Sequence, residues 1–177
     1  DWKLGYLLGA AYEIPDIALR VALTYESETE HDFRDSTGAP FKAELPQSVT
    51  LHAQSGIAQD TLLFGSVRWR EWTAFEVAPE NFFISDGGPF VNEPIAFNNS
   101  DIYTYRLGLG RSFSDRWSGA FVLGYEKQTG DRKGNLDGTD GFMSYTLALT
   151  HELEALEVTG ALSYVDFGNA DTNVTSF

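Results

Sequence analysis

Apolar and polar residues alternate along most of this chain. From Ile17 to Tyr25, one set reads Ile17, Leu19, Val21, Leu23, Tyr25 and the other Ala18, Arg20, Ala22, Thr24. Successive residues of a strand point to opposite faces, so this spacing predicts a strand with one apolar side and one small, polar side. The pattern recurs at Leu4, Tyr6, Leu8, Ala10, Tyr12; at Val49, Leu51, Ala53; and at Tyr103, Tyr105, Leu107, Leu109. It returns at Trp117, Phe121, Leu123, Tyr125; at Met143, Tyr145, Leu147, Leu149; and at Leu156, Val158, Leu162, Tyr164. Thr61 to Trp72 is strand-like too, although Leu62, Leu63 and Phe64 interrupt the period. About eight strands result, each near the nine to eleven residues that a tilted membrane-crossing strand needs.

The connections have a rhythm of their own. Short ones at Ile14-Pro15-Asp16, Ala58-Gln59, Ser114-Asp115 and around Glu154 alternate with long ones over 27–46, 73–100 and 127–140. Outer-membrane barrels alternate short periplasmic turns with long extracellular loops, whereas a soluble sandwich has no reason to lengthen every second loop. Tyr12, Tyr25, Trp69, Trp72, Tyr103, Trp117, Tyr125 and Tyr164 sit at segment ends, as in the aromatic girdles at headgroup level. The expected fold is all-β, an antiparallel transmembrane β-barrel segment forming one domain over 1–177. The alternative is a soluble antiparallel barrel or sandwich with its apolar face inward. Polar faces built from Ser, Thr, Gly and Ala rather than Lys and Glu argue against it. With a short turn after it, the first strand runs from outside to periplasm. An eighth strand then returns the chain outside, so both ends lie on one face and the barrel is expected to be incomplete. Phe177, the last residue, resembles a barrel's terminal aromatic only by coincidence, because Asn173, Thr175 and Ser176 beside it form no lipid-facing strand.

Composition narrows the function. A formal net charge of -14 argues against nucleic-acid binding, which needs Lys and Arg against phosphate. With no cysteine there is neither a disulfide framework nor a thiolate metal site. A mean hydropathy of -0.23 does not exclude a membrane, because a barrel hides only every second residue in lipid.

Three stretches carry a family resemblance. GYLLGAAYEIPDIALRVALTYESETEHDF resembles the strand, tight turn and acidic strand exit of the FadL/TodX outer-membrane transporters of long-chain fatty acids and hydrocarbons. ELPQSVTLHAQSGIAQDTLLFGSVRWREWTAF resembles their Leu-Pro-led hairpin ending in Trp-x-x-Trp-x-x-Phe, here Trp69, Trp72 and Phe75. DIYTYRLGLGRSFSDRWSGAFVLGYEK is similar to the hairpin that follows, with its Tyr-Arg-x-x-Leu-Gly element. The resemblance implies the C-terminal portion of a fourteen-stranded barrel, without its N-terminal plug, early strands and last strand. It further implies passive outer-membrane transport of long-chain fatty acids or other hydrophobic compounds. Two departures stand out: Thr29-Glu30 where the family has a basic residue, and Gly141 before Phe142 where some relatives have another.

Such a ligand needs an apolar surface for its body and a donor for its head. Between Ala74 and Asn99 lie Phe75, Phe82, Phe83, Ile84, Phe90, Val91, Ile95 and Phe97, a high apolar density for an external loop. Phe82, Phe83, Phe90, Ile95 and Phe97 are therefore candidate ligand contacts, the alternative being packing of the loop on itself. Arg20, Arg68, Arg70, Arg106 and His52 fall on the polar faces and can bind a carboxylate or pair with Glu13, Glu26 and Glu157. Arg68 and Arg106 are the first candidates, since their strands flank the apolar loop.

Other chemistry finds less support. The DRKGNLDGTDG segment has Lys133 where a calcium loop has its first ligand, and reads as a flexible solvated loop. Acidic clusters can still bridge divalent ions to lipopolysaccharide, a membrane-lipid partner. His52 shares its face with Ser48 and Thr50 but has no Gly-flanked nucleophile or positioned acid, and His31 and His151 read as surface residues. No enzyme, cofactor or metal site is expected. The rival function is a structural or adhesive small outer-membrane barrel that moves nothing.

Overall fold

The computed structural model describes residues 2–35, 37–79, 83–84, 91–92, 94–133 and 139–171, with backbone alone at 83–84 and 91–92. Eight antiparallel strands form one sheet: β1 (Leu7–Ile14), β2 (Leu19–Glu26), β3 (Ser48–Ala58), β4 (Thr61–Arg70), β5 (Ile102–Ser114), β6 (Trp117–Glu126), β7 (Thr139–Glu152) and β8 (Glu157–Asn169). Spatial order follows chain order, β1-β2-β3-β4-β5-β6-β7-β8. Each strand pairs only with its sequence neighbours, the simplest way to satisfy backbone groups in a meander.

The register turns the sequence alternation into two faces. One row crosses the whole sheet as Tyr12, Val21, Ala53, Gly65, Leu107, Leu123, Tyr145 and Tyr164. The row beside it, on the opposite face, runs Ala22, His52, Ser66, Arg106, Gly124, Ser144 and Val165. Cross-strand pairs hold each face in its own way. Tyr105–Tyr125 and Tyr145–Tyr164 rings meet at 6.3 and 6.4 Å on the apolar side. Thr146–Ser163 and Thr150–Thr159 hydroxyls bond at 2.8 Å on the polar side.

No described residue covers the apolar face. Leu107 is 54% exposed, Leu147 62% and Leu162 76%, while Ala22 and Ala96 are the only buried hydrophobic residues among those described. A soluble sandwich would bury this face against a second layer. A continuous apolar face of this extent marks a surface turned to lipid or to a partner, and in strands that alternate this way it fits a barrel wall facing lipid. Among the described residues no ladder joins β1 to β8, so the eight strands do not close on themselves as a small barrel.

Several segment ends differ from the sequence pattern, with Leu4, Tyr6, Trp72 and Leu156 outside the strands. Ile17 is not in a strand: Pro15–Ile17 is a 3₁₀ turn, and Ala18 adopts a left-handed φ of 50° to re-enter the sheet. Pro15 sets this turn, because its ring fixes φ and removes a ladder donor. The broken period at Leu62-Leu63-Phe64 is resolved by Gly108. Phe64 lies on the polar face, and its ring covers Gly108 so closely that any Cβ there would collide with it. The phenyl ring thus fills space that a side chain would otherwise take.

Candidate functional site

The long loops all emerge at one end of the sheet. The first folds into a two-stranded ribbon, Thr29–Arg34 with Pro40–Leu45. Its register sets His31 opposite Ala43 and Phe33 opposite Phe41 on one face, with Glu30 opposite Glu44 and Asp32 opposite Lys42 on the other. Period-two alternation thus continues beyond the main sheet and makes the ribbon amphipathic. Its tip is fixed by Asp35, whose carboxylate accepts from Thr37 N (2.8 Å), Thr37 Oγ1 (2.6 Å) and Ala39 N (2.9 Å). Gly38 supplies the left-handed φ of 88° that the turn requires.

The apolar face of the ribbon meets the next long loop. Phe75 and Val77 close against His31, Phe33, Phe41, Ala43 and Leu45 around an almost wholly apolar cavity of about 450 Å³. Phe33 and Phe41 stack at 5.5 Å, and Trp72 props Phe75 edge-on at 5.5 Å. Glu76–Val77 pairs with Ala96–Phe97, and Ile95 N donates to Val77 O at 2.8 Å. Ile95 and Phe97 are therefore half-buried supports of the strand that carries Val77.

Charge on the ribbon's other face is arranged in pairs. Lys42 Nζ reaches Glu30 at 2.6 Å, and Lys3 Nζ reaches Asp32 at 2.7 Å. The Lys3 ammonium, bonded to Asp32, holds that carboxyl below its ordinary range. Glu44 moves the other way: desolvation, then the charges of Glu28, Glu71 and Glu30, raise it.

On the polar face of the sheet, most cations are already engaged. Arg20 Nε donates to Glu13 at 2.8 Å. Arg68 Nη2 donates to Glu26 Oε2 at 2.9 Å, and Ser48 Oγ donates to the same oxygen at 2.6 Å. Arg70 lies 3.8 Å from Glu26 and over the Trp72 ring at 5.5 Å. Arg106 and His52 flank Ser66 in the adjoining row and make no hydrogen bond or ion pair among the described residues. Next to them in the following row is Phe64 on Gly108. An uncommitted guanidinium thus neighbours an aromatic surface on one face of the sheet.

These two faces and one-sided loops match a solved structure, "CymD monoaromatic hydrocarbon channel", with a TM-score of 0.57 and 14% identity over 93% of this chain and 47% of that one. The fold is that of a FadL-type barrel. The chain spans about half the length of that channel chain. No protein-family profile and no curated protein sequence matches it. In a FadL-type barrel wall the polar face lines the lumen and the apolar face meets the surroundings.

The expected site residues fall into three groups within the FadL-type frame. Arg68 is held by Glu26, whereas Arg106 has no ion pair or hydrogen bond among the described residues, so the two first candidates separate. Ile95 and Phe97 support the groove wall. Phe83 is described by backbone alone, and Phe82 and Phe90 lie outside the described residues. Sequence reading missed Phe33, Phe41 and Leu45, although their alternation between Thr29 and Leu45 was legible. It also placed His31 on the surface, whereas the ring lines the groove and meets Phe33 at 6.3 Å. His151, at the strand end as expected, stacks on the exposed Trp117 at 4.1 Å.

The segment beginning at Asp131 differs most from expectation. Lys133 is 2% exposed: its Nζ donates to Asn98 Oδ1 at 2.9 Å and lies 3.7 Å from Asp140 Oδ1. Asp140 also accepts from Thr129 Oγ1 (2.9 Å) and Gly130 N (2.7 Å), and Lys133 N donates to Asp171 O (2.9 Å). Ser100 donates to Asp131. Within the described part of this loop Lys133 is clasped while Arg132 stays exposed, because a buried ammonium requires these acceptors.

Proposed function

We propose that this chain is the wall and external entrance of a passive outer-membrane channel for long-chain fatty acids or other hydrophobic compounds. The observation that carries the reading is the apolar cavity of about 450 Å³ between Phe33, Phe41, Leu45 and Phe75, at the long-loop end of the wall. A dissolved hydrophobe gains by leaving water for such a groove, at about 25 cal/mol per Å² of apolar surface removed. The barrel shared with a monoaromatic hydrocarbon channel supports passage through the membrane. Phe82, Phe83 and Phe90 remain proposed further contacts for the ligand, and Ile95 and Phe97 support the strand that carries Val77. Arg106 is the lumen contact for a ligand with an anionic head, and Arg68 keeps Glu26 neutralised. No step consumes energy.

The test is uptake of a fluorescent long-chain fatty acid by cells carrying the full-length protein. Phe33→Ser with Phe41→Ser should reduce uptake at low ligand concentration by roughly tenfold while the protein still reaches the outer membrane. Uptake equal to wild type would remove the groove from the pathway. If wild-type protein confers no uptake of fatty acid or of a neutral aromatic hydrocarbon, the purely structural or adhesive barrel becomes the correct reading.

A further inference from the structure

The apolar face of the wall carries a second feature near the long-loop end. Tyr103, Tyr105 and Tyr125 project there, stacked at 6.5 Å and 6.3 Å, and together with Lys127 and Asp101 they line a notch of about 630 Å³. Below it, sharing Tyr105 and Tyr125, runs an apolar furrow of about 430 Å³. The furrow has a simple origin: Ala53 and Gly65 are the small members of a row that continues with Leu107 and Leu123. Polar notch and apolar furrow therefore adjoin at Tyr105 and Tyr125 as one slot, the furrow crossing from β6 towards β3.

The polar groups of the notch differ in what they have free. Asp101 accepts from Trp69 Nε1 (3.1 Å), Thr73 Oγ1 (2.7 Å) and Thr73 N (3.3 Å), so both its oxygens are occupied. Thr129 is committed to Asp140. Lys127 is exposed and makes no ion pair among the described residues, and the three phenol hydroxyls make no hydrogen bond among them. What remains available is one ammonium and three hydroxyls above an apolar trough. This is the donor set for a phosphate whose attached hydrocarbon continues down the furrow.

We infer that this slot is a binding site for a phosphorylated, acylated lipid of the outer leaflet, with its phosphate at Lys127 and one acyl chain along Ala53 and Gly65. The inference rests on the membrane placement proposed above and not on transport. An ordinary aromatic belt needs rings at the interface but no furrow beneath them and no uncommitted cation between them. Here both lie against the same two rings, Tyr105 and Tyr125.

The experiment places the full-length protein in phosphatidylcholine nanodiscs doped with bisphosphorylated lipid A and measures lipid A retained after exchange into undoped lipid. Wild type should retain it about tenfold better than Lys127→Ala, the scale of one lost charge-assisted contact. Lys127→Arg should restore retention, and Ala53→Phe, which fills the furrow, should lower it like Lys127→Ala. Fully dephosphorylated lipid A should be retained equally by wild type and Lys127→Ala. Equal retention of bisphosphorylated lipid by wild type and Lys127→Ala overturns the site, as does undiminished retention by Ala53→Phe. Heat-modifiable electrophoretic mobility shows whether each protein has inserted. A wild type that never inserts refutes the membrane placement itself, and the slot with it.

Discussion

Leu107 offers the sharpest test of the two-faced wall. It lies near the middle of β5, 54% exposed on the apolar side, in the row that links Tyr12 to Tyr164. An Arg at the bilayer midplane on a lipid-facing position costs about 2–4 kcal/mol. At about 1.4 kcal/mol per tenfold, Leu107→Arg should lower the folded-to-unfolded ratio by roughly 30- to 1000-fold. Thr146→Arg is the matched control, mid-strand on the lumen face, where it gives up one hydroxyl contact with Ser163 at 2.8 Å. That loss is worth about 0.5–1.5 kcal/mol at most, and the new charge points into water. The assay is urea-titrated folding of the full-length protein into short-chain phosphatidylcholine vesicles, read by heat-modifiable mobility. If Thr146→Arg costs as much as Leu107→Arg, the assignment of faces is wrong.

Three further outcomes follow from the geometry. Gly108→Ala should destabilise folding by about 1–3 kcal/mol through overlap with Phe64, and Phe64→Ala in the same chain should recover most of it; additive losses in the same vesicle titration would contradict the packing. Arg106→Ala should weaken uptake of a carboxylate ligand about tenfold and leave a neutral hydrocarbon of similar size unchanged, so equal effects on both would remove Arg106 from head-group contact. For pH, Glu44 is raised in the folded ribbon, so its contribution is complete below the ordinary Glu value of 4.5 and is lost as pH rises through the raised value. Asp32 is lowered, so its contribution is present above 3.8 and is lost as pH falls through the lowered value. Limited proteolysis of the 29–45 ribbon across this range should show Glu44→Gln protecting it on the alkaline side, and no difference from wild type would refute that role.

Strands and loop lengths were legible because alternation is a local property, set by which residue follows which. The partnerships at the site were not, because they join distant positions. Arg68 and Glu26 are 42 residues apart and meet only once β2, β3 and β4 are in register. Phe64 looks like an error of period until Gly108, two positions from Arg106, is placed beneath it. The groove is likewise built between loops: Phe33 and Phe41 come from one and Phe75 from the next, so reading a single loop for apolar density finds only one wall. Lys133 has the composition of a solvated loop around it, and its burial depends on Asn98 and Asp140 reaching it from either side.

That clasp also bears on assembly. Asn98 and Lys133 are 35 residues apart, with the β5–β6 hairpin between them, and Lys133 N reaches Asp171 beyond the end of β8. Its bonds tie the β5–β6 hairpin to the β7–β8 hairpin, and their closure costs least entropy once those four strands have paired. Protease resistance at Arg132 and Lys133 would therefore report the pairing of β5 to β8, read out at the long-loop end of the wall.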